Sequence, residues 1–216
     1  MAAVRFLAAV PVLFAMFFLP AGTFSYWEAW VYLAIIFIPM TLVLIYLFKN
    51  DPGLLERRMK TREPETEQKL IVKLSVPLFL IAFLLPGFDQ RFGWSDIPVG
   101  VEVMAEILVL LGYGMFFLVG RENRYASRVV EVEQEQKVIS SGPYAIIRHP
   151  MYLGLLVMYI FSPLALGSYW AIIPAILIIP VIVVRLLNEE NVLARDLKGY
   201  KEYMEKTPDR LLPGIW

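Results

Sequence analysis

Residues 151–190 read MYLGLLVMYIFSPLALGSYWAIIPAILIIPVIVVRLLNEE. No charged side chain interrupts the run from Met151 to Val184, and its one break is Gly167-Ser168. A hydrocarbon core about 30 Å thick needs about 20 helical residues at 1.5 Å each. Met151–Leu166 and Tyr169–Leu187 therefore read as two apolar helices joined by a minimal turn: a tight helical hairpin whose first limb is short enough to be tilted or re-entrant. Four more apolar runs precede it, at Val4–Pro20, Glu28–Phe48, Ile71–Gly87 and Val99–Gly120. The first carries Arg5 but no small-x-small cleavage pattern follows, which makes it a retained helix rather than a secretory signal. The predicted fold is an all-α integral membrane protein with about five to six transmembrane helices, the last two forming the hairpin.

Composition agrees. Apolar residues make up 58% of the 216 positions and charged residues 19%, with a mean hydropathy of +0.61; soluble domains run at about 45–50% and about 25%. Lysine plus arginine equals aspartate plus glutamate, 20 against 20, so there is no electrostatic case for nucleic-acid binding. The absence of cysteine removes thiolate and iron–sulfur chemistry, and a single histidine removes multi-histidine metal sites. No metal is expected.

Basic residues set the expected orientation. Of the 20 lysines and arginines, all but Arg91 fall on one side: Arg5, the connection from Lys49 to Lys73 with Lys60 and Arg62, the stretch from Arg121 through Arg128 to Arg148, and the tail from Arg185 to Arg210. Both termini are thus expected in the cytoplasm. Trp27, Trp30, Trp94, Tyr169 and Trp170 fit interfacial anchoring. Glu102 and Glu106, one turn apart near the outer end of the fourth span, read as a solvated helix end, and Gly112 and Gly114 as helix-packing residues. The chain divides into residues 1–120, with four spans and a cytosolic loop at 49–70, and residues 121–216, which hold the hairpin and the tail.

The chemistry concentrates just before the hairpin. Residues 136–154 read QKVISSGPYAIIRHPMYLG. Val129–Val132 and Val138–Ile139 are β-branched and read as extended, and Ser141-Gly142-Pro143 as a turn. A residue before proline is pushed away from helical angles while proline suits the first helical turn, so His149 is placed at an N-cap and Pro150 at the helix start. The free N–H groups of that helix end make a ready anion site. Arg185 and Glu189 share a face of the returning helix at i,i+4 spacing. An antiparallel hairpin brings them and Glu190 back to the level of His149, Tyr144 and Tyr152.

The set Gly142, Tyr144, Arg148, His149, Pro150, Tyr152 and Gly154, followed by Arg185 and a Glu-Glu pair, resembles the isoprenylcysteine carboxyl methyltransferase family and the related phospholipid methyltransferases, over roughly residues 130–210. The first four spans match only as hydrophobic helices. The resemblance implies S-adenosylmethionine bound in a cytosolic pocket built with the C-terminal tail. It assigns Gln136, Lys137, Val138, Ile139, Tyr144, His149, Pro150, Met151 and Tyr152 to the cofactor, with a carboxylate from Glu189 or Glu190. Glu190 is taken for the cofactor, and Arg185 with Glu189 for catalysis on the methyl acceptor. The expected acceptor is lipophilic and enters from the bilayer, by family default as the carboxylate of an isoprenylcysteine-like molecule.

The chain departs from that pattern where many prenylcysteine enzymes have histidine in place of Gln136, serine in place of Met151, and an aromatic run in place of Leu155-Leu156-Val157-Met158. The cofactor half therefore transfers better than the acceptor half, and phospholipid amines or small thiols stay open as acceptors. A sterol-reductase-like enzyme using NADPH shares an arginine–histidine–tyrosine–glycine motif, but usually has asparagine where Met151 stands. A non-enzymatic membrane protein is the third reading.

Overall fold

The computed structural model describes residues 2–59, 65–127 and 129–216. Lys60, Arg62 and Arg128, together with the side chain of Arg5, lie outside the described residues. The described residues form α-helices α1 (Ala2–Ala21), α2 (Trp27–Asn50), α3 (Pro52–Met59), α4 (Thr66–Phe92), α5 (Val99–Glu122), α6 (Pro150–Ala165), α7 (Ile172–Asp196) and α8 (Tyr200–Lys206), with a single 3-10 turn at Gly142–Ala145 and no strand. Four of them, α2, α4, α5 and α7, are long and apolar enough to cross a membrane, and Phe6–Ala21 and Pro150–Ala165 are shorter apolar helices.

The molecule's surface is that of a bilayer protein. Ile38 and Leu42 on α2, Leu74 and Ile81 on α4, Ile107 and Leu111 on α5, and Ile176 and Leu177 on α7 are all exposed. In water such faces would be aggregation-prone; in lipid they cost nothing. Prolines sit inside α1, α2, α4, α6 and α7, a use of proline that is commoner in transmembrane than in soluble helices.

Two boundaries differ from the hydropathy reading. α4 begins at Thr66 rather than Ile71 and runs on to Phe92. Its polar first turn is held because Gln68 is fully buried, donating to the Arg185 carbonyl at 3.1 Å and to Asn188 Oδ1 at 2.8 Å. α7 likewise continues past Leu187 to Asp196. At 16 residues α6 is about 24 Å long and α7, at 25, about 37 Å. The last turns of α7 therefore overshoot the start of α6 and wall the space beside it.

The hairpin exists, but its first limb packs more closely on α5 than on α7, while α7 packs mainly on α4. Glycine sets the first contact. A Cβ on Gly112 would lie 2.8 Å from the Gly154 carbonyl oxygen, and one on Gly154 would lie 2.7 Å from that of Gly112. The two backbones touch, as small residues allow between membrane helices. Gly114 has open space around it and plays no such part.

Glu102 and Glu106 are not a solvated helix end. Both are buried, at 4% exposure, and Glu28 on α2 is buried beside them. The turn between α6 and α7 folds over the start of α2 and α5: Tyr26 Oη donates to the Leu166 carbonyl at 2.5 Å, and Ser168 Oγ to Asp89 Oδ2 at 2.5 Å. A Cβ on Gly167 would meet Glu102 Oε1 at 3.4 Å. Glu28 and Glu102 sit in the first turns of α2 and α5, where the positive dipole end favours them, and Glu106 lies one turn further on.

Candidate active site

His149 is the N-cap of α6, and Pro150 occupies the first turn. The extended backbone at 148–149 is strapped to the tail: the Arg148 N–H donates to the Asp209 carbonyl at 2.9 Å and the His149 N–H to the Arg210 carbonyl at 3.0 Å. Arg148 completes the strap with Nη1 on the carbonyls of Thr207, 2.7 Å, and Pro208, 2.6 Å. Its Nε donates to Glu190 Oε1 at 2.6 Å, and Arg210 Nε donates to Glu190 Oε2 at 2.8 Å. Glu190, Arg148 and His149 are all buried. Glu190 is thus a double acceptor that joins α7, the motif and the tail.

Glu189 points the other way. It accepts from Tyr152 Oη at 2.5 Å and borders a cavity of about 780 Å³. Of the residues singled out from sequence, Gln136, Lys137, Val138, Ile139, Tyr144, His149, Met151, Tyr152, Arg185 and Glu189 line this cavity; Pro150 and Glu190 do not. The 129–140 segment forms no strand, and a turn at 134–135 is closed by the Gln136 N–H on the Glu133 carbonyl at 3.1 Å.

The cavity has two characters. Its motif end is closed by Tyr144, Tyr200 and Tyr203, with Tyr203 Oη on the Tyr144 carbonyl at 2.7 Å and Asn123 Nδ2 on the Tyr144 hydroxyl at 3.0 Å. Burial pushes the Tyr144 phenol up to about 12, and raises Tyr200 and Tyr203 as well, so all three stay neutral donors. The other end lies between α4, α6 and α7 and is lined by Ile71, Val72, Leu155, Tyr159, Ile178, Val181 and Ile182. Arg185 and Glu189 stand where the two ends meet.

Residues 101–199 match the phospholipid methyltransferase family model. Over that segment the chain is similar to a family of methyltransferases. The match covers just under half of the 216 residues and holds the motif, the hairpin and the Glu-Glu pair. It also reaches back through α5, which the motif alone did not include; the Gly112–Gly154 contact makes α5 part of the same unit. No curated protein matches the chain significantly.

Sequence reasoning missed Tyr200, Tyr203, Asn123 and Arg58 as cavity residues. The two tyrosines lie in the tail after α7 and carry no spacing that aims them inward. Asn123 and Arg58 come from separate connections and only the fold brings them in.

Proposed function

We propose that the chain transfers a methyl group from S-adenosylmethionine to an anionic lipophilic acceptor, of the class of an isoprenylcysteine carboxylate. The observation that carries this reading is one cavity with a polar, tyrosine-walled end and an apolar end facing the membrane helices, with Arg185 at their junction.

The residues fit the cofactor. Buried polar atoms without a hydrogen-bond partner are costly, and among the described residues His149 Nε2, 3.6 Å from Glu190 Oε1, and Tyr200 Oη are two such atoms on residues that line this cavity. They, with Gln136–Ile139, Tyr144 and Tyr152, would hold S-adenosylmethionine. When bound it supplies a methyl carbon on a positively charged sulfur, ready for displacement. Neither a covalent nucleophile nor a metal is needed, and among the described residues no group of side chains could hold a metal ion.

The chain's own work is positioning and exclusion of water. Arg185, with its planar fork, suits a carboxylate and would hold the acceptor's charged end bidentately. The apolar wall of Leu155, Ile178, Val181 and Ile182 would seat its hydrocarbon part. A carboxylate acceptor has no proton to lose, so Glu189 and Tyr152 orient the site rather than act as a base. Glu190 is a positioning residue that holds the motif against the tail. The strongly one-sided distribution of basic residues supports a cytosolic site, with both termini on that side.

The matched family's name favours a second reading, a phospholipid amine as acceptor. An amine must lose a proton, and Glu189 would then be the base. The test is incubation of purified protein with methyl-labelled S-adenosylmethionine and either a farnesylcysteine derivative or phosphatidylethanolamine. A methyl ester that releases methanol in base supports the first reading; an N-methyl product stable to base supports the second. Arg185→Ala should keep cofactor affinity and abolish turnover on the acid. Loss of cofactor affinity in that variant would overturn the division of roles.

A further inference from the structure

A second cavity, of about 240 Å³, lies between α2, α3 and α5. Its walls include Val43, Leu47, Leu54, Phe117, Gly120 and Arg58. It opens among helix faces that carry exposed apolar side chains, Leu42 and Ile45 on one flank and Leu110 and Leu111 on the other. It shares only Arg58 and Phe116 with the larger cavity, which opens instead between α4, α6 and α7.

Arg58 is the unexplained group here. Its neighbour Arg57 is fully accounted for, on Glu133 at 3.0 Å and over the Tyr125 ring at 5.8 Å. Arg58 donates to Met151 Sδ at 3.3 Å and has no carboxylate partner among the described residues. Its other polar neighbours are the phenols of Tyr113 and Tyr144. Burial lowers its pKa, yet a guanidinium keeps its charge at any ordinary pH. Arg58 is half-buried, and a guanidinium partly withdrawn from water that, among the described residues, donates to a thioether and to no carboxylate is a favourable seat for an anion. α3 itself is rigidly placed, by Leu54 packed on Leu47, Val119 and Ala126 and by Arg57 on Glu133.

We propose that this slot binds an anionic amphiphile: one hydrocarbon chain along α2 and α5, and a carboxylate or phosphate head on Arg58. α3 follows directly on the end of a membrane-length helix, which is where a lipid head group would lie. The head would border the larger cavity through Arg58, so a bound lipid would form part of that cavity's wall. The inference does not depend on the methyl-transfer reading.

The test uses the full chain in neutral detergent with Tyr46→Trp as reporter, since Tyr46 lines the slot. The probes are brominated stearate, its methyl ester and brominated phosphatidylglycerol, read as quenching above that of the unsubstituted protein. Saturable quenching by stearate or by phosphatidylglycerol is expected, and which of them binds tells a free fatty acid from a phospholipid. The ester should bind at least about tenfold more weakly than the acid, and Arg58→Gln should weaken the acid by about tenfold or more. Arg58→Lys should keep part of the affinity. The exposed Arg121, at the rim, should matter by less than about twofold as Arg121→Gln. Gly120→Leu, whose first side-chain carbon meets only Leu54 Cδ2 at 3.8 Å, should block the slot with Arg58 intact. Equal binding of acid and ester overturns the proposal, as does unchanged quenching in a folded Arg58→Gln or Gly120→Leu variant, or no quenching by either anionic probe. Should Arg58→Gln fail to fold, the acid–ester comparison on the reporter protein decides alone.

Discussion

Glu190→Ala separates a carboxylate that holds the site together from one that touches the cofactor. In the structure Glu190 accepts from Arg148 at 2.6 Å and from Arg210 at 2.8 Å. The Arg148 side chain is 3% exposed, that of Arg210 29%. Removing the carboxylate strands a buried guanidinium, and breaking such a pair costs about 3–5 kcal/mol; the half-exposed Arg210 contact adds at most about 1 kcal/mol. Against a total stability on the order of 5–15 kcal/mol this is a large loss, expected as a fall in melting temperature on the order of 10 °C in detergent. The strap between residues 148–149 and 207–210 should loosen with it, and the tail from Thr207 should become the first site of limited proteolysis. Arg210→Ala should do the same more weakly. Cofactor binding, measured with S-adenosylhomocysteine by calorimetry, should fall in step with tail protection. The reasoning is refuted if Glu190→Ala melts within a degree of the unchanged protein and keeps its tail protected while cofactor binding is lost. That result would make Glu190 a direct ligand.

Gly112→Ala should destabilise by about 1–3 kcal/mol, because its Cβ would lie 2.8 Å from a backbone oxygen of α6, whereas Gly114→Ala two positions on should leave the melting temperature unchanged. Glu106 is buried with neither carboxylate oxygen hydrogen-bonded in the chain, so Glu106→Leu should hold or raise the melting temperature by the value of an unsatisfied polar group, about 1–3 kcal/mol; a clear fall would show that the carboxylate has a partner in the working protein. The Tyr144 phenol is raised from an ordinary value of 10.0 to about 12, so the folded state holds its proton more tightly. Its contribution to stability is complete below pH 10 and is lost as pH rises towards 12, and Tyr144→Phe should flatten that alkaline limb in a pH series of thermal melts. Val181→Trp narrows the apolar end of the large cavity and should raise KM for a lipophilic acceptor while leaving cofactor affinity within about twofold, read by steady-state kinetics and calorimetry.

What was legible in the sequence is what local chemistry alone decides. The proline after His149 forces the helix start wherever the rest of the chain goes, and the structure has His149 as N-cap. Likewise the Gly167-Ser168 break returns α7 to the motif, so Arg185, Glu189 and Glu190 arrive beside His149 by helix length alone. Hydropathy, by contrast, sees only the average of a segment. It cut α4 short at Ile71 because it reads Glu67 and Gln68 as polar, when Gln68 is buried by partners more than a hundred residues away on α7. The same blindness made Glu102 and Glu106 a wet helix end: the turn at Leu166–Ser168, from a different part of the chain, comes against Glu102, and Glu106 is buried one turn further in. The Glu-Glu pair shows the limit most sharply. Two identical, adjacent side chains on one helix differ by about 100° in direction. One turns inward to Arg148 and Arg210, and the other meets Tyr152 on the wall of the cavity. No composition or spacing distinguishes them, because the difference lies in which neighbour each direction meets. Arg57 and Arg58 repeat the case on α3, where one finds Glu133 and the other a methionine sulfur and an apolar slot. Adjacent like residues are thus set apart by helix phase, with one member of each pair joining segments of the chain and the other turned to a cavity.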